Sequence, residues 1–84
     1  MIKIYLQTFY NKFHMEEQKA LETLATNIRK LRAINRISQE KLAELADLSQ
    51  QYICSIEKAK VNPSIITILK IAKALGVTIN DLTY

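Results

Sequence analysis

Between Ser38 and Lys60 the chain reads Ser-Gln-Glu-Lys-Leu-Ala-Glu-Leu-Ala-Asp-Leu-Ser-Gln-Gln-Tyr-Ile-Cys-Ser-Ile-Glu-Lys-Ala-Lys, and this stretch restricts the fold more than any other. The spacing predicts two short helices joined by a tight turn. Ser38 is placed to cap the first, its hydroxyl accepting an N–H that a first helical turn leaves unpaired. Leu42, Leu45 and Ala46 then supply apolar side chains at i, i+3 and i+4. Ser49 is placed to cap the second helix, with Ile53 and Ile56 facing inward. On a helical wheel Gln51, Cys54, Ser55 and Lys58 fall opposite those isoleucines, with Gln50 at the rim. That outer face offers amides and one cation. A glutamine can bond an adenine edge in two places and a lysine can reach guanine or phosphate, so the face suits the floor of a DNA groove.

The flanking segments predict more helix. Leu21, Leu24, Ile28 and Leu31 recur at helical spacing from about Glu16 to Asn35, and the helix is expected to end near Asn35 and Arg36. Val61-Asn62-Pro63 reads as a turn, and Ser64 as the N-cap of a fourth helix that buries Ile65, Ile68, Leu69, Ala72 and Leu75 and stops at Gly76. A fifth short helix is expected from Thr78 to Leu82, capped by Thr78. Residues 1–14 differ: Ile2, Ile4 and Leu6 alternate with Lys3, Tyr5 and Gln7, a strand-like pattern. Lacking an apolar run and a small-residue cleavage site, they make a poor signal peptide. Met15 is a second plausible start of translation. Two readings of 1–14 stay open: a loose N-terminal extension, disordered or absent from the natural product, and an arm that packs on a partner subunit or on DNA. The domain proper is taken as 15–84.

Composition narrows the class. Eighty-four residues make one small domain, near the size at which a single core is marginal without help. Cys54 is the only cysteine, so neither a disulfide nor a zinc site can supply that help, and a lone thiol fits a reducing cytoplasm. Oligomerisation is the remaining route. Hydrophobic residues at 49% with one Gly and one Pro point to a compact helical fold, and no apolar run approaches the ~18 residues of a membrane span. The net charge of +4 permits nucleic-acid binding without proving it. Its distribution says more: Arg29, Lys30, Arg32, Arg36 and Lys41 crowd the first half of the domain, and Lys58 and Lys60 close the second short helix.

The words Leu31-Arg32, Ile37-Ser38-Gln39-Glu40-Lys41-Leu42-Ala43, Leu48-Ser49, Tyr52-Ile53, Ile56-Glu57, Asn62-Pro63-Ser64 and Ile71-Ala72-Lys73-Ala74-Leu75-Gly76-Val77 resemble, in order and spacing, the Cro/repressor-type (XRE-like) helix-turn-helix DNA-binding proteins. The resemblance runs from about Leu24 to Leu82 and implies an all-α, five-helix lambda-repressor-like domain. It implies base reading by Gln50, Gln51, Cys54 and Ser55 on the helix 49–58, and phosphate contacts from Gln39, Ser49, Tyr52, Lys58, Lys60 and Asn62. It also implies that Arg32 and Glu57 form a partly buried ion pair, a structural role. Each assignment has a plainer rival. Gln39 can be an ordinary first-turn residue, Gln50 and Gln51 solvated glutamines, and Ser49 a cap alone or a cap and phosphate contact together. Tyr52 can pack at the core's edge, and Lys58, Lys60 and Asn62 can be a solvated run. The family commonly has Gly where this chain has Arg36, Asp47 and Ala59. Arg36 and Ala59 adopt left-handed geometry at a cost of about 1–2 kcal/mol, so these turns are expected to be slightly rearranged.

The function expected is sequence-specific binding of double-stranded DNA by a transcriptional regulator, a homodimeric repressor or controller protein. Two recognition helices about 34 Å apart would read a pseudo-palindromic operator. The dimer surface is expected at the C-terminal end, from Val77, Ile79, Leu82 and Tyr84. No cofactor, metal, membrane or small-molecule ligand is expected. A protein partner such as a toxin or RNA polymerase belongs to the rival reading, an interaction adaptor that keeps the fold with little DNA specificity. An enzyme is the weakest reading: paired carboxylates, metal-spaced His/Cys sets and a Gly-rich phosphate loop are all missing from the sequence.

Overall fold

The structure is a computed structural model that describes the backbone from Ile2 to Tyr84 and the side chains from Met15 onward. It is helical throughout: α1 (Ile2–Asn35), α2 (Gln39–Ala46), α3 (Gln50–Glu57), α4 (Ile65–Leu75) and α5 (Ile79–Thr83), with no strand among the described residues. Helix α1 starts earlier than the expected Glu16, because nothing between residues 1 and 35 is Gly or Pro. The alternation of Ile2, Ile4 and Leu6 is therefore helix rather than strand: a few residues of period two do not override a segment without a breaker. Whether 1–14 acts as an arm depends on side chains that lie outside the described residues.

Four N-terminal caps form as the sequence predicts. The hydroxyls of Ser38, Ser49 and Ser64 accept the backbone N–H of Lys41, Tyr52 and Thr67 at 3.0, 3.1 and 3.1 Å. Thr78 accepts from Asp81 N–H, and the Asp81 carboxylate accepts the Thr78 N–H at 2.9 Å, a reciprocal capping box. Each cap is worth about 1 kcal/mol, a large share of what so short a helix can contribute.

The C-termini share one device. After α1, α2, α3 and α4 the chain steps into the left-handed region at Arg36 (φ 56°), Asp47 (φ 55°), Ala59 (φ 56°) and Gly76 (φ 72°). In each case the N–H of the following residue reaches back into the last turn: Ile37 to Arg32, Leu48 to Ala43, Lys60 to Ser55 and Val77 to Ala72, at 2.9–3.1 Å. These are Schellman closures, which satisfy carbonyls that a helix end leaves orphaned. Only Gly76 reaches the left-handed region without a Cβ penalty. The expected rearrangement at Arg36, Asp47 and Ala59 does not occur, because the paired carbonyls and the packing of Ile37, Leu48 and Val61 against the core hold the turns in place.

The core is built from Leu24 and Ile28 of α1, Leu42, Ala43 and Ala46 of α2, Ile53 and Ile56 of α3, Ile71, Ala72 and Leu75 of α4, and Leu82 of α5. Leu21, Leu31 and Ile68 are half-buried around it. Three residues expected inside are exposed: Leu45, Ile65 and Leu69. The buried face of α2 centres on Leu42, Ala43 and Ala46, and Leu45 points roughly 100° away from it. The α4 stripe is Ile68, Ile71, Ala72 and Leu75. Leu69 lies round the helix from that stripe, and the first turn carrying Ile65 is left uncovered. Helix α5 is tied down by Asn27, whose amide donates to the carbonyls of Leu82 (2.8 Å) and Tyr84 (3.0 Å).

Two outcomes follow for stability. Ala59→Gly relieves a left-handed strain of about 1–2 kcal/mol against an unfolded-chain entropy loss of about 0.5–1 kcal/mol. A net gain of ~0.5–1 kcal/mol should appear as a higher urea midpoint with an unchanged slope. The backbone N–H of Thr78, and then its hydroxyl, hold the Asp81 carboxyl below its ordinary value. A carboxylate with a depressed folded pKa stabilises the fold above the unfolded pKa, near pH 4, and that contribution disappears as pH falls through the lowered folded value. Asp81→Asn should remove that part of the acid dependence, read from melting temperatures between pH 2 and 6.

Candidate DNA-binding interface

Helices α2 and α3, with the turn Asp47-Leu48-Ser49 between them, form one rigid unit because their inner faces share the core through Leu42, Ala46, Ile53 and Ile56. Burying Ile53 and Ile56 turns the opposite flank of α3 outward. Gln50, Gln51 and Lys58 are exposed there, and Cys54 and Ser55 are half-buried. The only carboxylate on α3 is Glu57, and it is 3% exposed. The outward flank of the helix therefore carries no negative charge of its own.

Glu57 ends α3 inside the protein, where an unpaired charge would be costly. Arg32 at the end of α1 grips it with both arms of its guanidinium: Nε donates to Oε2 at 2.9 Å and Nη2 to Oε1 at 3.1 Å. The same guanidinium donates through Nη1 to the Ile37 carbonyl at 3.1 Å, fixing the loop into α2. Gln39, the first residue of α2, donates its amide to Glu57 Oε1 at 3.0 Å. One carboxylate thus joins α1, α2 and α3. Arg29 adds a further tie by donating to the Glu57 backbone carbonyl, one of the acceptors that the end of α3 leaves free.

The other residues singled out by the sequence divide by position. Ser49 is exposed and its oxygen is engaged as the cap of α3. Tyr52 is half-buried and packs against the core. Lys58, Lys60 and Asn62 are exposed on the loop after α3, which keeps its left-handed turn at Ala59. At the C-terminal end Tyr84 is exposed, and Val77 and Ile79 are half-buried. Leu82 is a correction. It is 0% exposed, a core residue of its own protomer, and has no surface left for a dimer contact. The larger apolar exposure is on α4, at Ile65, Ile66 and Leu69.

Sequence reasoning missed Arg29, Asn27 and the inward bond of Gln39. Arg29 and Asn27 close on residues 28 and 55 positions away, beyond the reach of any local spacing rule. Gln39 sits in a recognisable motif, but its partner 18 residues on could be named only once α2 and α3 were packed. Among the described residues there is no group of three His, Cys, Asp or Glu able to hold a metal ion, and no helix is long and apolar enough to cross a membrane.

Comparison with known proteins agrees with this geometry. The family model described as Helix-turn-helix matches residues 28–82. The chain is 43% identical over 61 residues to the control protein C.SmaI of Serratia marcescens, spanning 73% of each chain. It is 36% identical over 58 residues to the immunity repressor protein of Bacillus phage phi105, covering 69% of this chain and 40% of the repressor. Among solved structures it resembles the restriction-modification controller protein C.AhdI from Aeromonas hydrophila, with 35% identity and a TM-score of 0.72 over 74% of this chain and 94% of the controller. The chain belongs to the XRE-type helix-turn-helix family of DNA-binding transcriptional regulators.

The Arg32–Glu57 pair gives a direct expectation. Glu57→Gln leaves the Arg32 guanidinium facing a neutral amide. Because Arg32 retains 23% exposure, water takes up part of the loss, and a destabilisation of about 2–4 kcal/mol is expected in urea unfolding, toward the low end of broken buried pairs.

Proposed function

We propose that the chain acts as a homodimeric repressor or controller protein that reads a pseudo-palindromic operator with α3 laid in the major groove. The observation that carries this reading is the burial of Glu57. With its one carboxylate withdrawn and paired with Arg32, α3 offers DNA a flank of two exposed glutamines and a lysine. In this reading Gln50 and Gln51 contact base edges, with Cys54 and Ser55 one turn further in. Gln39, Ser49, Tyr52, Lys58, Lys60 and Asn62 contact the phosphates on either side and set affinity and register. The relatives, control proteins and a phage repressor, support regulation through binding at an operator.

A second protomer follows from the arithmetic of selectivity. One short recognition helix reads only a few base pairs, whereas two helices one helical turn apart on the DNA read a symmetric site. The surface assigned to the partner protomer combines Val77, Ile79 and Tyr84 with the exposed Ile65, Ile66 and Leu69 of α4.

Selection of DNA by the purified protein from a random duplex pool tests the whole reading. A symmetric motif with half-sites about one helical turn apart is expected. An adaptor without intrinsic DNA specificity would return no motif and would bind random duplex weakly at every salt concentration, whereas a DNA regulator loses affinity steeply as salt rises. Gln51→Ala should relax preference at one or two operator positions by about 1–3 kcal/mol, with little change in melting temperature. Competition binding against single-base operator variants measures the first effect and thermal melting the second.

A further inference from the structure

We infer that the cleft between α1 and the end of α3 is a binding site for a small zwitterion, with Arg29 and Lys58 holding its anionic group and Glu22 its amine. The site stands independently of the DNA-reading function proposed above; only its effect on DNA rests on that reading.

The cleft has a volume of about 330 Å³ and lies between Glu22, Thr26 and Arg29 of α1 on one side and Lys58 on the other. Ala25 and Ala59 also line it, and Ala25 is 2% exposed. The hollow exists because these two side chains are too short to fill it. No local motif marks such a place, since its two sides join only when α1 packs on the end of α3.

The charges in the cleft do not close on one another. Glu22 and Arg29 are seven positions apart on α1, about 10 Å of rise and beyond the i, i+4 reach of a helical ion pair. Among the described residues Glu22 has no ion pair, and it accepts only a long bond of 3.5 Å from Gln18. The Lys58 ammonium is exposed and has no partner among them either. Arg29 is held in place by the Glu57 carbonyl and, at 3.3 Å, by the Thr26 hydroxyl. Those bonds take two of its five N–H groups and leave three for an incoming oxyanion.

Two cations and one carboxylate thus face one cavity with their charges kept apart. Glu22 would repel a dianion, and Arg29 and Lys58 would repel a diamine. A molecule carrying one group of each sign, several bonds apart, satisfies all three side chains. The planar guanidinium matches a carboxylate or phosphate in two-point fashion, and its fixed pose lowers the ordering cost of binding. Each contact is open to water and individually weak, so a dissociation constant of about 1 mM is expected. Lys58 is also one of the phosphate contacts proposed above. A ligand that draws it into the cleft withdraws it from the duplex.

The experiment titrates the full chain with ε-aminocaproate, followed by amide and Arg29 side-chain NMR shifts. Caproate and hexylamine serve as its separate halves, and glycine as a zwitterion whose charges lie too close together. The expected result is that ε-aminocaproate binds at least about tenfold tighter than any of the three. Glu22→Gln should cut its preference over caproate to about threefold or less, and Lys58→Gln should weaken binding by about threefold. Both variants should keep the parent's helical content, because neither side chain is in the core. Saturating ε-aminocaproate should lower the parent's affinity for its enriched duplex by about threefold and leave that of Lys58→Gln unchanged. Equal binding of ε-aminocaproate and caproate, or full preference retained in Glu22→Gln, would overturn the site. Ligand binding with unchanged duplex affinity would overturn the link to DNA alone. A parent protein that binds no duplex would overturn the DNA-reading function, and the ligand titration would still decide the site.

Discussion

The Glu57 carboxylate, held by Arg32 and Gln39, is the contact on which the remaining geometry depends. It lies where three helices converge, and each donor comes from a different one: the end of α1 and the start of α2, both closing on the end of α3. The apolar core alone would leave α3 free to shift along or roll about its own axis, since Ile53 and Ile56 contacts are non-directional. Hydrogen bonds to a planar carboxylate are directional. A fork of two bonds from an arginine fixes orientation as well as distance. The pair is thus better described as setting the pose of α3 than as supplying net stability, which buried ion pairs often fail to do.

The same carboxylate decides the electrostatics of the outer surface. With α3 laid in the groove as proposed, an exposed acidic residue at its end would face a phosphate backbone and oppose binding. Turned inward and matched by Arg32, it leaves the outward flank to amides and to the lysines that follow. Arg29 and the Schellman closure at Ala59 complete this end of the helix by pairing its last carbonyls. If α3 is the reading helix, as proposed, folding and function are joined at one place: the group that would harm DNA binding is the one that locks that helix to its support.

The secondary structure was largely legible because its signals are local. Ser38, Ser49, Ser64 and Thr78 each cap the helix that follows, and Gly76 ends α4, since a hydroxyl or a missing Cβ acts within one turn of chain. The errors came from packing. Leu45, Ile65 and Leu69 are as hydrophobic as their buried neighbours, but whether a helix face is covered depends on where the other helices lie. Leu82 shows the converse. Expected at a dimer surface, it is fully enclosed, because Asn27 pins its short helix against α1.

What the sequence by itself determined was the number and order of the short helices, their caps, and the family to which residues 28–82 belong. The helices and caps depend on residue type and spacing over fewer than about ten positions, where propensity and capping act directly, and the family on the order of such local words along the chain. What only the tertiary structure decided was the set of partners of Glu57, the retention of left-handed turns at Arg36, Asp47 and Ala59, and which apolar residues stay outside. The contacts of Glu57 join groups 18 to 28 residues apart, and the turns and the uncovered side chains depend on how Ile37, Leu48, Val61 and the neighbouring helices pack against the core. Local chemistry can start and stop a helix, but the direction it faces is a property of everything packed against it.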